Sequence, residues 1–316
     1  MLDALTLDQM RVFLAVCDAG SFSAAARRLR RAQSAVSHAV MGLEAALGVS
    51  LFDRAGRLPA LTPAGRALAV DARAVVGRAD EMKARARAIA RDVEPELSLS
   101  VDPLLPRAPL MRALEALRDV FPLLPVALYT EGLGASEARI ADGTCSFGFS
   151  SVGAAGIGNP SLERRYLLDV PIVIVAAPGH PLAAVGAALS QADLRRHTQL
   201  VLTDRSPLTQ GFQGGVVADQ VWRFADLDTK HAFLLAGLGW GGMPRHMVES
   251  DLATGRLTVL ATDAPPRPIP LSLVHRRGEP PGRAGRWLLE RLEATIGECP
   301  VELVSSASAA PARAPD

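Results

Sequence analysis

Apolar positions near the N-terminus recur at helical spacing, and each run stops at a residue that ends helices. Thr6 and Gln9 form the pattern of a capping box, Leu7, Met10, Phe13, Leu14 and Cys17 follow on one face, and Gly20 ends the first helix. Ser21 or Ser23 caps a short second helix through Ala24, Ala25, Ala26 and Leu29, whose small side chains permit close packing. A third helix is predicted from about Gln33 to Leu47, ending at Gly48, with Val36, Val40, Leu43 and Leu47 facing inward. Its other face carries Ser34, Ser37, His38 and Met41 at i, i+3, i+4 and i+7, so small hydrogen-bonding groups project together away from the core. The stretch LFDRAGRLPALT reads as a short hairpin turning at Ala55 and Gly56.

Thr62 and Pro63 then supply the cap and first-turn proline of a long helix, predicted to reach about Val93 and to stop before Pro95. Leu68, Val75, Met82 and Ile89 repeat every seven residues, and Ala72, Ala79, Ala86 and Val93 form a second series offset by four. Two such series make a coiled-coil seam for a second copy of the same helix; a long helix docked on its own domain is the alternative. From Leu97 the pattern changes. ELSLSVD, PVALYT, CSFGFS, VPIVIVAA, TQLVLT, VWRFADL and PLSLVHR are candidate strands with helical stretches between several of them, which predicts an α/β domain. The segment from about Val304 is rich in Ser, Ala and Pro and is expected to be a disordered tail.

Charge sharpens this division. The chain of 316 residues has a net charge of +1, yet residues 1–93 hold 14 Arg or Lys against 9 Asp or Glu, a net of +5, so the remainder carries −4. A basic front on a nearly neutral chain points to a polyanion as the partner of that segment, although Arg is abundant throughout. The start lacks the basic and apolar regions of a signal peptide, and no apolar run approaches the roughly 18 residues needed to span a bilayer, so a soluble cytoplasmic protein with no membrane partner is expected. Cys17, Cys145 and Cys299 are far apart and lack CxxC spacing, which gives no metal site or disulfide framework. No Gly-rich phosphate loop, HExxH or GxSxG occurs, so neither an enzyme nor a cofactor is expected.

GSFSAAARRL, AQSAVSHAVMGLEAALGVSLFDR and LTPAGRAL carry the continuous N-terminal signature of the LysR-type transcriptional regulators, which this chain closely resembles. The resemblance continues more loosely through FPLLPVALYTEG, HPLA and AGLGWGGMP. It implies an all-α winged helix-turn-helix with a long linker helix, then an α/β domain resembling periplasmic binding proteins, with two subdomains hinged around a cleft for a small-molecule effector. It also implies homodimers or homotetramers on double-stranded promoter DNA, with RNA polymerase as a further candidate partner. The corresponding division is a DNA-binding domain over 1–62, a dimerisation helix over 63–94, a regulatory domain over 95–303 and a tail over 304–316. Arg31 and Ala32 depart from the family, which usually has an apolar residue and then a Ser or Thr cap there; Ser146 replaces a usual aspartate.

By position in the family pattern, Gln33, Ser34, Ser37 and His38 face the bases or adjacent phosphates; Gln can pair bidentately with adenine. Capping is the competing role for Gln33 and the serines. Arg30 and Arg31, in a basic run with Arg27 and Arg28, are candidate phosphate contacts, and Arg54 and Arg57 at the hairpin tip are candidates to reach a flanking phosphate or enter a minor groove, with wing structure alone as the competing role. The dimerisation seam comprises Leu68, Ala72, Val75, Ala79, Met82, Ala86 and Ile89. Effectors in open α/β folds sit beyond the carboxyl ends of strands, which selects Ser100 and Asp102, Thr130 and Glu131, Ser150 and Ser151, Thr203, and Phe224 and Asp226. Thr229 is added as the cap of the next helix. Asp102 and Glu131 argue against a simple carboxylate effector unless they pair with Arg205 or Lys230. A nucleoid-type DNA-binding protein without effector control is the alternative function.

Overall fold

The computed structural model describes residues 5–53, 59–152, 159–185, 187–203 and 215–298. The chain divides into two compact units, one ending at Arg91 and the other beginning at Asp92.

In the first unit, α1 (Leu7–Ala19) begins with the reciprocal Thr6 and Gln9 capping box and ends at Gly20 in the left-handed conformation. The caps lie where short-range hydrogen bonding placed them. Ser21 caps α2 (Phe22–Leu29), and α3 (Gln33–Leu47) follows. A two-stranded hairpin of β1 (Phe52–Asp53) and β2 (Ala60–Leu61) leads into α4 (Pro63–Ile89), capped by Thr62. The core is built from Val12, Phe13, Val16, Ala25, Val36, Val40, Leu43 and Leu51, all nearly inaccessible. Phe52 meets Phe13 and Phe22 edge-on at centroid distances of 5.6 and 5.4 Å, which ties the hairpin base to both helices. The hairpin tip, including Ala55 and Gly56, and the Ser/Ala/Pro tail lie outside the described residues.

Helix α4 is shorter than its apolar repeat suggests. It ends at Ile89 rather than near Val93, and Asp92 takes a left-handed φ of 59°. Pro95 disfavours helix at Glu94, and the Glu94 carboxylate is committed elsewhere. It accepts hydrogen bonds of 2.9 Å from the backbone of both Ala284 and Gly285, capping the last helix, whose own cap residue is Gly282. Glu94→Ala is expected to lower stability by about 1–2 kcal/mol, because two helix N-terminal amides lose a charged acceptor. A denaturant titration checks this; an unchanged midpoint would exclude the capping role.

The second unit contains two five-stranded sheets. Its elements are β3 (Leu97–Val101), α5 (Arg107–Val120), β4 (Val126–Thr130), α6 (Gly134–Ala141), β5 (Phe147–Ser150), β6 (Leu162–Val170) and β7 (Ile172–Ala176). They are followed by α7 (Gln191–Arg195), β8 (Gln199–Leu202), β9 (Val221–Phe224), α8 (Leu227–Leu235), β10 (Trp240–Pro244), α9 (Arg245–Ala253), β11 (Thr258–Val259), β12 (Ile269–Arg276) and α10 (Arg283–Gly297). One sheet has the order β4-β3-β5-β12-β6 and the other β11-β7-β10-β8-β9. The chain crosses between them twice, after β6 and before β12.

All seven strands expected from the sequence are present, and β6, β10 and β11 are additional. β6 reads LERRYLLDV and among the described residues pairs only with β12, so its charged positions remain at an edge. β10 lies between β7 and β8 despite the glycines of WGGMP. A Cβ on Gly241 would lie 2.6 Å from the Leu200 carbonyl oxygen, so glycine is what lets this strand approach β8.

Candidate functional site

The DNA-reading candidates lie on the free side of α3. Val36, Val40 and Leu43 are buried, whereas Gln33, Ser34, His38 and Met41 are exposed and Ser37 is half-buried. Leu47, expected inside, is only half-buried. Ala32 makes no side-chain cap, so the first amides of α3 lack that local acceptor. Gln33 is the first helical residue rather than the cap. Arg30 closes α2 in a left-handed conformation with φ 53° and is exposed, as are Arg27 and Arg28.

Arg31 does not simply extend outward. Its guanidinium donates to both Asp8 oxygens at 2.7 and 2.8 Å, which locks the turn between α2 and α3 to the start of α1. The same bidentate pair holds the Asp8 carboxyl below the usual range. Arg54 and Arg57 lie outside the described residues.

The seam on α4 divides into two parts. Leu68 packs against the core of its own unit and Ala72 is buried in it, so these two are already committed within the chain. Farther along, Val75, Met82 and Ile89 are 46%, 68% and 44% exposed, Ala86 is exposed and Ala79 is half-buried. An exposed apolar stripe therefore begins where the helix leaves the three-helix core. Arg11 pairs with Asp80, and Arg73 with Asp18 at 2.8 Å, bracing α4 against α1 beside that stripe.

In the second unit, a cavity of about 470 Å³ lies between the two sheets. Asp102, Leu104, Leu133 and Ser151 line it from the β3 side, and Gln199 to Thr203, Arg223, Lys230 and Gly242 from the β8 side. Parallel pairing of β3 with β4 and β5, and of β8 with β9 and β10, turns the carboxyl ends of these strands toward it. Its volume lies within the range of small-molecule sites, and its wall is mainly apolar with few polar groups. A smaller cavity of about 240 Å³, also lined by Leu202 and Thr203, adjoins Thr130, Glu131 and Asp226.

The strand-end candidates thus separate. Asp102, Ser151 and Thr203 line the main cavity; Thr130, Glu131 and Asp226 line the smaller one with Thr203. Ser100 is buried in β3 and its hydroxyl has no partner among the described residues, while Ser150 donates to Glu137 at 3.0 Å. Phe224 packs edge-on against Phe233 at 5.0 Å. Thr229 is not the helix cap: Asp226 caps α8 and accepts from both the amide and hydroxyl of Thr229 at 2.6 Å. None of Ser100, Ser150, Phe224 and Thr229 lines either cavity.

The acids also differ from expectation in their partners. Asp102 accepts from the Leu104 amide at 2.9 Å and from the amide and hydroxyl of Ser151 at 3.1 and 2.7 Å. Burial nevertheless pushes its carboxyl up to about 6. Glu131 pairs with Arg139 at 2.6 Å, not with Lys230, and Arg205 lies outside the described residues. Lys230 instead donates to the Gly242 carbonyl at 2.6 Å. The places of Gln199 and Arg223 in the cavity wall were not legible from strand ends alone, because neither terminates its strand. Burial pushes the thiols of Cys17 and Cys145 up to about 11, consistent with packing roles; Cys299 lies outside the described residues.

Residues 7–66 match the family described as bacterial regulatory helix-turn-helix protein, lysR family, and residues 90–296 match the LysR substrate binding domain. The chain belongs to the LysR family. This LysR-type protein is a transcriptional regulator with an effector-binding domain, in a family of regulators rather than enzymes. It is 31% identical over 296 residues to the probable HTH-type transcriptional regulator YhaJ of Escherichia coli K12, covering 92% of this chain and 96% of that protein. It is also 31% identical over 265 residues to the HTH-type transcriptional activator AllS of Klebsiella pneumoniae, covering 81% and 94%. A solved structure of an OxyR C206 mutant from Corynebacterium glutamicum shares the fold with a TM-score of 0.58 and 22% identity, covering 93% of each chain. LysR regulators bind DNA and small-molecule effectors and form oligomers. No helix among the described residues of this LysR-type regulator is long and apolar enough to cross a membrane.

Proposed function

We propose that this LysR-type regulator reads promoter operators as a homodimer or homotetramer in the cytoplasm, with α3 in the major groove. The carrying observation is the division of α3: its core face is buried while Gln33, Ser34 and His38 remain exposed beside a basic run. Gln33 reads bases, Ser34, Ser37 and His38 contact bases or adjacent phosphates, and Arg30, Arg31, Arg54 and Arg57 hold phosphates. Arg31 does so while remaining anchored by Asp8. The exposed α4 stripe joins two copies, and the proposed division into domains over 1–62, 63–94 and 95–303, with a tail over 304–316, follows these roles.

A small molecule in the main cavity controls the spacing of the dimer arms by favouring one arrangement of the second unit over another. Asp102, Ser151 and Thr203 contact that effector, with Thr130, Glu131 and Asp226 placed for a larger ligand extending toward the smaller cavity. RNA polymerase contact is the proposed route from operator occupancy to transcription.

Footprinting and salt-dependent titrations test this reading. Gln33→Ala is expected to relax base preference by about 1–3 kcal/mol, whereas Arg57→Ala weakens binding to all sequences and lowers the salt slope by about one unit. Protection without a preferred site would instead support a nucleoid-type protein without effector control. Unchanged titrations for both variants would overturn the assigned contacts.

A further inference from the structure

We infer that the main cavity takes a small organic carboxylate with an apolar body, and that the ammonium of Lys230 is its counter-ion. This rests on the effector role proposed above and adds the chemical class of ligand. Lys230 stands in the first turns of α8, is 4% exposed and lines the cavity. An ammonium has three donors, but Lys230 makes one hydrogen bond, to the Gly242 carbonyl, and no ion pair among the described residues. A buried cation with one neutral acceptor is poorly compensated, and a carboxylate entering the cavity supplies the missing charge.

The surrounding groups favour the same ligand. Arg223 on β9 and Arg267 before β12 line the cavity and are exposed, and neither forms an ion pair among the described residues. Asp102 is the acid on the opposite wall, but its oxygens are already engaged by Leu104 and Ser151. It lies beyond ion-pair distance of Lys230, whose lowered proton affinity is caused by burial alone. Ile172, Ile174, Leu200 and Leu227 provide an apolar wall for the ligand body. Gly241 is part of the arrangement, since its missing Cβ would lie 3.2 Å from the Lys230 Cε.

Burial brings Lys230 down to about 8. A bound carboxylate holds the ammonium protonated, so affinity is constant just below that value and falls by about tenfold per pH unit above it, until the bound-state value is reached. Asp102 titrates at about 6, and its neutralisation at lower pH removes a repelling charge and raises affinity further.

The test uses the full chain with hexanoate, phenylacetate and benzoate against their carboxamides, read by calorimetry and by operator footprint. At least one carboxylate is expected to bind more than about tenfold tighter than its amide, with the stated pH profile in the wild type. Lys230→Met is expected to lose that preference while melting at or above the wild-type temperature, since an uncompensated charge is replaced by an apolar chain. A purely structural lysine would instead give a less stable variant with the preference intact. Absence of carboxylate binding, equal binding of amides, or a flat pH profile above 8 overturns the inference. The pH profile decides the question even if K230M fails to fold. Amide binding that changes the footprint would leave effector control standing and remove the anion site; carboxylate binding with an unchanged footprint would do the reverse.

Discussion

Val75→Glu combined with Met82→Glu is expected to convert the oligomer to monomers. Both side chains are exposed on α4, at 46% and 68%, so the isolated chain loses little by the change. Across a twofold axis each substitution counts twice, and fully burying one such side chain contributes about 1.5–3 kcal/mol. Loss of four apolar contacts, with acids facing acids, therefore raises the dimer dissociation constant by well over about a thousandfold. Sedimentation measures this directly, and operator affinity falls with it because the two half-sites are no longer held together. Val70→Glu is the control: Val70 is 66% exposed but lies roughly 140° around the helix from Val75. A double variant that sediments like the wild type would place the oligomer interface elsewhere.

Gly65→Val is expected to unfold the DNA-binding unit. A Cβ at this position would stand 2.1 Å from the Leu51 carbonyl oxygen and 3.0 Å from the Leu61 side chain. That carbonyl cannot move away cheaply, because it accepts the Thr62 amide at 3.0 Å where α4 begins. The loss is about 3 kcal/mol or more, at the upper end of overpacking effects. Thermal melting should show it, and operator binding should vanish at physiological temperature. Gly65→Ala acts in the same direction. An alanine variant melting with the wild type would show that the junction of hairpin and helix can relax.

The DNA-reading half was largely legible because its information is local. Thr6 and Gln9 cap one another three residues apart, Gly20 and Gly48 end helices by their own conformation, and Val36, Val40 and Leu43 bury one face through helical periodicity alone. The heptads of α4 were equally visible, yet periodicity could not separate Leu68 and Ala72, which pack within the chain, from Val75 and Met82, which do not. That separation depends on where α1 ends against α4. Arg31 likewise stood out in the sequence, but its destination, Asp8, became visible only when the start of α1 was brought beside the turn.

The effector half shows the limit more strongly. Strand ends picked out Asp102, Ser151 and Thr203, which line the main cavity, because a parallel sheet places its carboxyl ends together. Lys230 was named only as a partner for acids, and WGGMP does not read as a central strand. Only tertiary structure decided that Gly241 and Gly242 run beside β8, that Gly242 receives the Lys230 ammonium, and that no described carboxylate joins it. The amino-acid sequence by itself determined the helix-turn-helix, the family and the α/β class, since these rest on caps, periods and continuous motifs. The cavity's charge was decided by the fold, because burial and the distance between Asp102 and Lys230 are set by segments far apart along the chain.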